Sequence, residues 1–251
     1  MRGILYLLRL CVLAMLLASL PGESRAADGL PVLLVLDPAS ARLLGSGTVI
    51  AERLVVTSRH VVEPALRRDS GLMLARLHGD APIEARVLSL SSRLDLAVLE
   101  ATRALPVRAV RAGARPPISV PVTAQAPGGA TLRGRVEDFR WSPLWGPAIF
   151  VRLPVAFGSS GGPVVDQDGH LVGIVTAAVN PSARHLAALA VGVDTDMSRT
   201  PLADASAPLV LLLPAVDVQI EVARLLAACC AARFSELQWR EHDQVPGSAM
   251  R

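Results

Sequence analysis

The sequence predicts an all-β protein closed by one C-terminal helix. Between residues 30 and 213 the apolar runs are short and rich in Val, Ile and Leu. Gly, Pro, Ser and Asp separate them, the layout of a sandwich or barrel. Only one long stretch, 215–234, repeats apolar residues at helical spacing. The 251 residues are 51% hydrophobic, 3% aromatic and 19% charged, too apolar for a disordered chain and within the range of one large β domain.

Taken in order, strands are expected at 32–36, 47–50, 54–57, 72–77, 83–88 and 96–99. A second series follows at 120–125, 132–139, 148–153, 163–165, 171–176 and 210–213. Asp166-Gln167-Asp168-Gly169 reads as a turn between two of these, because Asp and Gly suit tight loops. Residues 182–208 read as a long insertion whose Asp194, Asp196 and Asp204 are loop charges. The helix at 215–234 places Val218, Val222, Leu225, Leu226 and Cys229 on one face. Pro214 and Asp217 suit its start. Residues 235–251 are expected to form a polar tail.

The N-terminus is a targeting segment. Arg2 and Arg9 precede an apolar run at 10–20, Pro21-Gly22 ends it, and Ser24-Arg25-Ala26 supplies small residues for cleavage. This is the pattern of a secretory signal in residues 1–26. The alternative is an uncleaved anchor, disfavoured because a span needs about 20 apolar residues and Arg9 interrupts any longer run. Both readings put residues 28–234 outside the cytoplasm, in the periplasm or secreted. Membrane contact is expected only if the signal stays attached.

The net charge is +3, and all 25 basic residues are arginine. Arg2, Arg9 and Arg25 lie in the signal, so the mature chain is near neutral and gives no reason to expect a nucleic-acid partner. The low aromatic content argues against single-stranded nucleic acid as well. Cys11 lies in the signal, and Cys229 and Cys230 are adjacent, so no long-range disulfide is expected. His78, His170, His185 and His242 are scattered without a His-Glu-x-x-His, and no Gly-rich phosphate loop occurs. Neither a metal nor a cofactor is expected.

Three segments carry the chemistry. In the first, two strands from Gly45-Ser-Gly-Thr-Val-Ile50 to Leu54-Val-Val-Thr-Ser-Arg-His60 leave a histidine at a strand end. In the second, Asp95 opens the apolar strand Leu-Ala-Val-Leu-Glu100; a buried carboxylate there needs a partner. In the third, Phe157-Gly-Ser-Ser160-Gly-Gly-Pro163 flanks a serine with glycines. Such a turn can aim successive backbone N–H groups at one point. Taken singly, His60 and Asp95 also read as ordinary strand-end residues.

Together the three strongly resemble the trypsin-like serine peptidases, and most closely the bacterial HtrA (Deg) type. The matching strings are GSGTVI with LVVTSRHVV, DLAVLE, and GSSGGPVVDQDGHLVGIVTA. The resemblance runs from about residue 30 to 230. It implies two antiparallel six-stranded β-barrels with a C-terminal helix and a site between the barrels. It implies Ser160 as nucleophile, His60 as general base and Asp95 as the group that orients His60. The amides of Gly158 and Ser160 would form the oxyanion hole. Phe157, Gly173, Ile174 and Val175 would bind substrate, the last three as an edge strand pairing with polypeptide.

Ser159 stands where pancreatic-type relatives carry the aspartate that captures a new N-terminus. The oxyanion loop is therefore expected to be set by other contacts. No acidic residue lies in Leu153-Pro-Val-Ala-Phe-Gly158, which predicts cleavage after small or medium apolar residues. HtrA enzymes carry PDZ domains after the peptidase; none is expected in the residues that follow the helix. The leading reading is an exported serine endopeptidase. The alternative is a silent or latent binding protein, chaperone-like in character, on the same fold. The partners expected are polypeptide substrates, with a self-associated form left open.

Overall fold

A computed structural model describes residues 30–76, 81–142, 145–179 and 207–242, with backbone alone for 179 and 230–242. The expected signal segment and nearly all of the insertion at 182–208 lie outside them. Twelve strands form two closed antiparallel barrels of six, as the resemblance implies.

The first barrel holds β1 (Val32–Leu36), β2 (Leu43–Ala51), β3 (Leu54–Thr57), β4 (Leu72–Ala75), β5 (Ile83–Leu90) and β6 (Ala97–Ala101). Pairing of β1 with both β2 and β4 closes it. The second holds β7 (Pro121–Gln125), β8 (Thr131–Ser142), β9 (Gly146–Arg152), β10 (Pro163–Val165), β11 (Leu171–Val179) and β12 (Leu209–Pro214). Pairing of β7 with β10 closes it. Closure leaves no strand edge open along the paired length.

Alternation along each strand fills the barrels. Leu33 and Val35 of β1 point inward with Val49, Val55, Leu74 and Leu99. Val122, Val136, Val151, Val164, Val172 and Leu212 fill the second barrel. A third cluster forms the seam. Val56, Leu96 and Val98 of the first barrel meet Leu171, Ile174 and Leu213 of the second, and Val218, Val222 and Leu225 cover them. Those three belong to a C-terminal helix, Ala215–His242, whose buried stripe is the one its periodicity predicts. This helix runs past 234, so residues 235–242 are helical rather than tail.

The sequence reading missed a second helix, Arg59–Arg67, here α1; the C-terminal helix is α2. His60 lies in the first turn of α1, not at a strand end. The β-branched pair Val61-Val62 and the internal Pro64 conceal it. Its amphipathic face, with Val61, Val62 and Ala65 buried, docks it on the first barrel. Packing here overrides weak propensity. Among the described residues, no helix is long and apolar enough to cross a membrane.

Candidate active site

His60 and Asp95 meet at the mouth of the first barrel. The His60 amide donates to Asp95 Oδ1 at 3.0 Å, and His60 Nδ1 lies 2.8 Å from Oδ2. A carboxylate only accepts, so Nδ1 carries the proton and Nε2 keeps its lone pair. The Asp95 side chain is 10% exposed and the His60 ring 44%. The Asp95 hydrogen bond raises the His60 pKa above its ordinary 6.5, burial opposes the rise, and the charges of Asp95 and Glu63 add to it.

Ser160 comes from the second barrel, on the loop between β9 and β10. Its carbonyl accepts the Ser46 amide of β2 at 2.8 Å. A side chain at the next residue, Gly161, would strike Ser46 O and Thr57 Oγ1 at 2.2 Å, and φ there is +84°. Only glycine allows this approach. It sets the serine loop against Thr57 and Ser58, the residues just before α1. Ser58 Oγ then donates across the barrels to Val175 O at 3.1 Å. The same carbonyl accepts the Gly161 amide at 2.7 Å. Histidine helix, serine loop and β11 thus share one junction. Among the described residues, no hydrogen bond joins Ser160 Oγ to the His60 ring.

Ahead of Ser160 the chain makes a tight turn. The Ser159 amide donates to Ala156 O at 3.2 Å, and Gly158 has φ +89°, as at the third position of a type II turn. Ser159 spends its amide on the turn. The amides of Gly158 and Ser160, on either side, donate to no acceptor among the described residues. Phe157, 78% exposed, stands at the tip.

Residues 45–174 match the family described as trypsin-like peptidase domain. The chain belongs to that family. Two serine proteases of Mycobacterium tuberculosis, MT3772 and Rv3671c, are each 29% identical over 150 residues. The match covers 54% of this chain and 36% of theirs, so the chain spans about a third of those relatives. Among solved structures, the active form of the Rv3671c protease from M. tuberculosis superposes with a TM-score of 0.56 at 23% identity. It covers 83% of this chain and 94% of that one. Deg5 gives 0.50 at 23% identity over 59% of this chain and 79% of that one. At that identity the likeness is one of fold.

In this trypsin-like chain, side chains of the first barrel hold the loop at 158–162. Ser46 Oγ donates to Gly158 O at 2.7 Å and Thr48 Oγ1 to Gly161 O at 2.9 Å. Gly162 and Val175 complete the clamp through Val175 N to Gly162 O at 2.9 Å. The Ser159 side chain takes no part in the clamp; its hydroxyl is buried with no partner among the described residues. Ser46 and Thr48 are not evident as loop-holding residues from sequence, although both stand in the GSGTVI string.

Gly173, Ile174 and Val175 do not form an edge strand. Gly173 and Ile174 pair with β10 on one side and β12 on the other, and the Val175 backbone is spent on Gly161 and Gly162. Ile174 is sealed in the seam. The side of β11 that faces away from β12 loses its β10 partner only beyond these residues, at Thr176–Ala178.

The turn after β10 brings Asp166, Asp168 and His170 together, with ligand atoms within 4.8 Å. Asp166 Oδ1 accepts the amides of Asp168 and His170. That carboxylate shapes the turn, and the cluster gives no reason to assign a metal.

Proposed function

We propose that the protein is an exported serine endopeptidase that cleaves polypeptides through an acyl-enzyme intermediate. The observation that carries this reading is the two-point hold of Asp95 on His60, beside a serine loop in which the Gly158 and Ser160 amides are unspent. His60 Nε2 accepts the Ser160 proton as the hydroxyl attacks the scissile carbonyl, then delivers it to the leaving amine. Asp95 keeps the ring in the tautomer with Nε2 free and stabilises its charged form. The amides of Gly158 and Ser160 receive the developing oxyanion.

The substrate backbone pairs with β11 at Thr176–Ala178, where β10 no longer does, and Phe157 borders the bound chain. No acidic side chain lies in 153–158, which supports cleavage after small or medium apolar residues. The 1–26 segment supports export.

The test is a peptide library with unfolded protein added, digested by wild type and by Ser160→Ala. Cleavage after Ala, Val or Leu that disappears in the variant is expected. Cleavage confined to Arg sites would sink the specificity reading. No cleavage by folded protein, together with retained binding of unfolded chains, would favour the silent binding protein instead.

A further inference from the structure

Glu221 breaks the pattern of its helix. It sits on the buried stripe of α2 between Val218, Val222 and Leu225 and is 4% exposed. A carboxylate among aliphatic side chains is costly unless its oxygens are satisfied. Both are. Arg224 grips it through Nε at 2.8 Å and Nη2 at 2.6 Å, and Ser91 Oγ donates to Oε1 at 2.5 Å.

Ser91 is wholly buried and opens the turn that carries Asp95. Its hydroxyl oxygen accepts the amides of Arg93 at 3.0 Å and Leu94 at 2.9 Å. Its own amide donates to Leu96 O at 2.9 Å, closing the loop around Asp95. Its carbonyl accepts Arg59 Nη1 at 3.1 Å, from the residue beside His60. Every polar atom of Ser91 is engaged. Since a carboxylate can only accept, Glu221 dictates where the Ser91 proton points and leaves the lone pairs for the two amides.

We propose that Glu221 is a positioning residue. Through the Ser91 hydroxyl it fixes the Ser91–Leu96 turn, and so the Asp95 carboxylate against His60. Docking of α2 does not need this contact, because Val218, Val222 and Leu225 already pack on Leu96 and Val98. The inference rests on the reading of Asp95 as the group that orients His60.

The charged groups involved are few. Arg224 and Arg93 act on Glu221, and Asp95 and Glu63 act on His60, with Arg59 tied to Glu63. Because the Asp95 hydrogen bond is the main cause of the raised His60 pKa, a loosened Asp95 has a signature that lost stability alone does not produce.

The test measures the His60 pKa by NMR titration, and kcat and KM on an apolar peptide. It uses the full chain carrying Glu221→Ala, Glu221→Gln or Ser91→Ala, with exposed Ile220→Ala as control. Glu221→Ala and Ser91→Ala are expected to move the His60 pKa down toward 6.5. They should lower kcat by about tenfold or more, with KM changed by less than about twofold. Glu221→Gln keeps an oxygen acceptor for Ser91 and should rescue most of the loss. Folded variants with unchanged His60 titration and kcat would overturn the proposal. If Glu221→Ala does not fold, Ser91→Ala decides by the same two readouts. Wild type that hydrolyses nothing would instead overturn the catalytic reading, and the His60 titrations would still decide the contact.

Discussion

Ser46 shows how one buried hydroxyl can stand in for an ion pair. Its amide holds the Ser160 carbonyl and its Oγ holds the Gly158 carbonyl, so it grips both residues whose amides are proposed to bind the oxyanion. Ser46→Ala leaves a carbonyl unpaired in a buried place. It should cost about 1–3 kcal/mol of stability in urea unfolding and slow acylation as well. Ser159→Ala should behave differently. Its hydroxyl is buried without a partner, so removing it should leave stability unchanged or raise it; a loss of more than about 1 kcal/mol would show that the hydroxyl has a partner.

His60 carries a pH prediction. It must be neutral to accept a proton, and its pKa is raised above 6.5. The acid limb of kcat/KM should therefore fall at a pH above 6.5, and Asp95→Asn should move it lower while cutting kcat by roughly 10⁴. For stability the sign is the reverse of a carboxylate's. The raised pKa stabilises the fold below pH 6.5, and that contribution fades as pH rises through the folded value.

At the scale of elements, β11 and α1 show what sequence reading captures and what it loses. The strand pattern was legible because alternation and turn residues repeat along the chain, and the two-barrel fold that the resemblance implied is the one observed. Helix α1 was not legible, because its amphipathic pattern spans only nine residues and includes two β-branched valines and a proline. Pairing partners were not legible either. Gly173, Ile174 and Val175 read equally well as central or edge strand until β10 and β12 are seen on either side. The role of Glu221 was not legible, because its partner Ser91 lies 130 residues away. Ile174, in the seam between barrels, should be costly to shorten. Ile174→Ala should lose about 2–5 kcal/mol and Ile174→Val about 0.5–1.5, read from denaturant midpoints.

On the scale of the whole molecule, the proposed site exists only because two barrels are pressed together. His60 and Asp95 belong to the first and Ser160 to the second. The joints between them are hydrogen bonds from Ser46, Thr48 and Ser58 over an apolar seam. The motif residues were legible in the sequence because each sits in a short string with its own glycines or apolar flank. The joints were not, since each links residues more than 100 positions apart. The central claim is that this seam assembles an activated serine. The most direct measurement is labelling of the folded protein with a fluorophosphonate, with the modified residue located by mass spectrometry. The account predicts one adduct, on Ser160, that is lost in both Ser160→Ala and His60→Ala. An adduct elsewhere, or labelling of Ser160 that persists in His60→Ala, would contradict it.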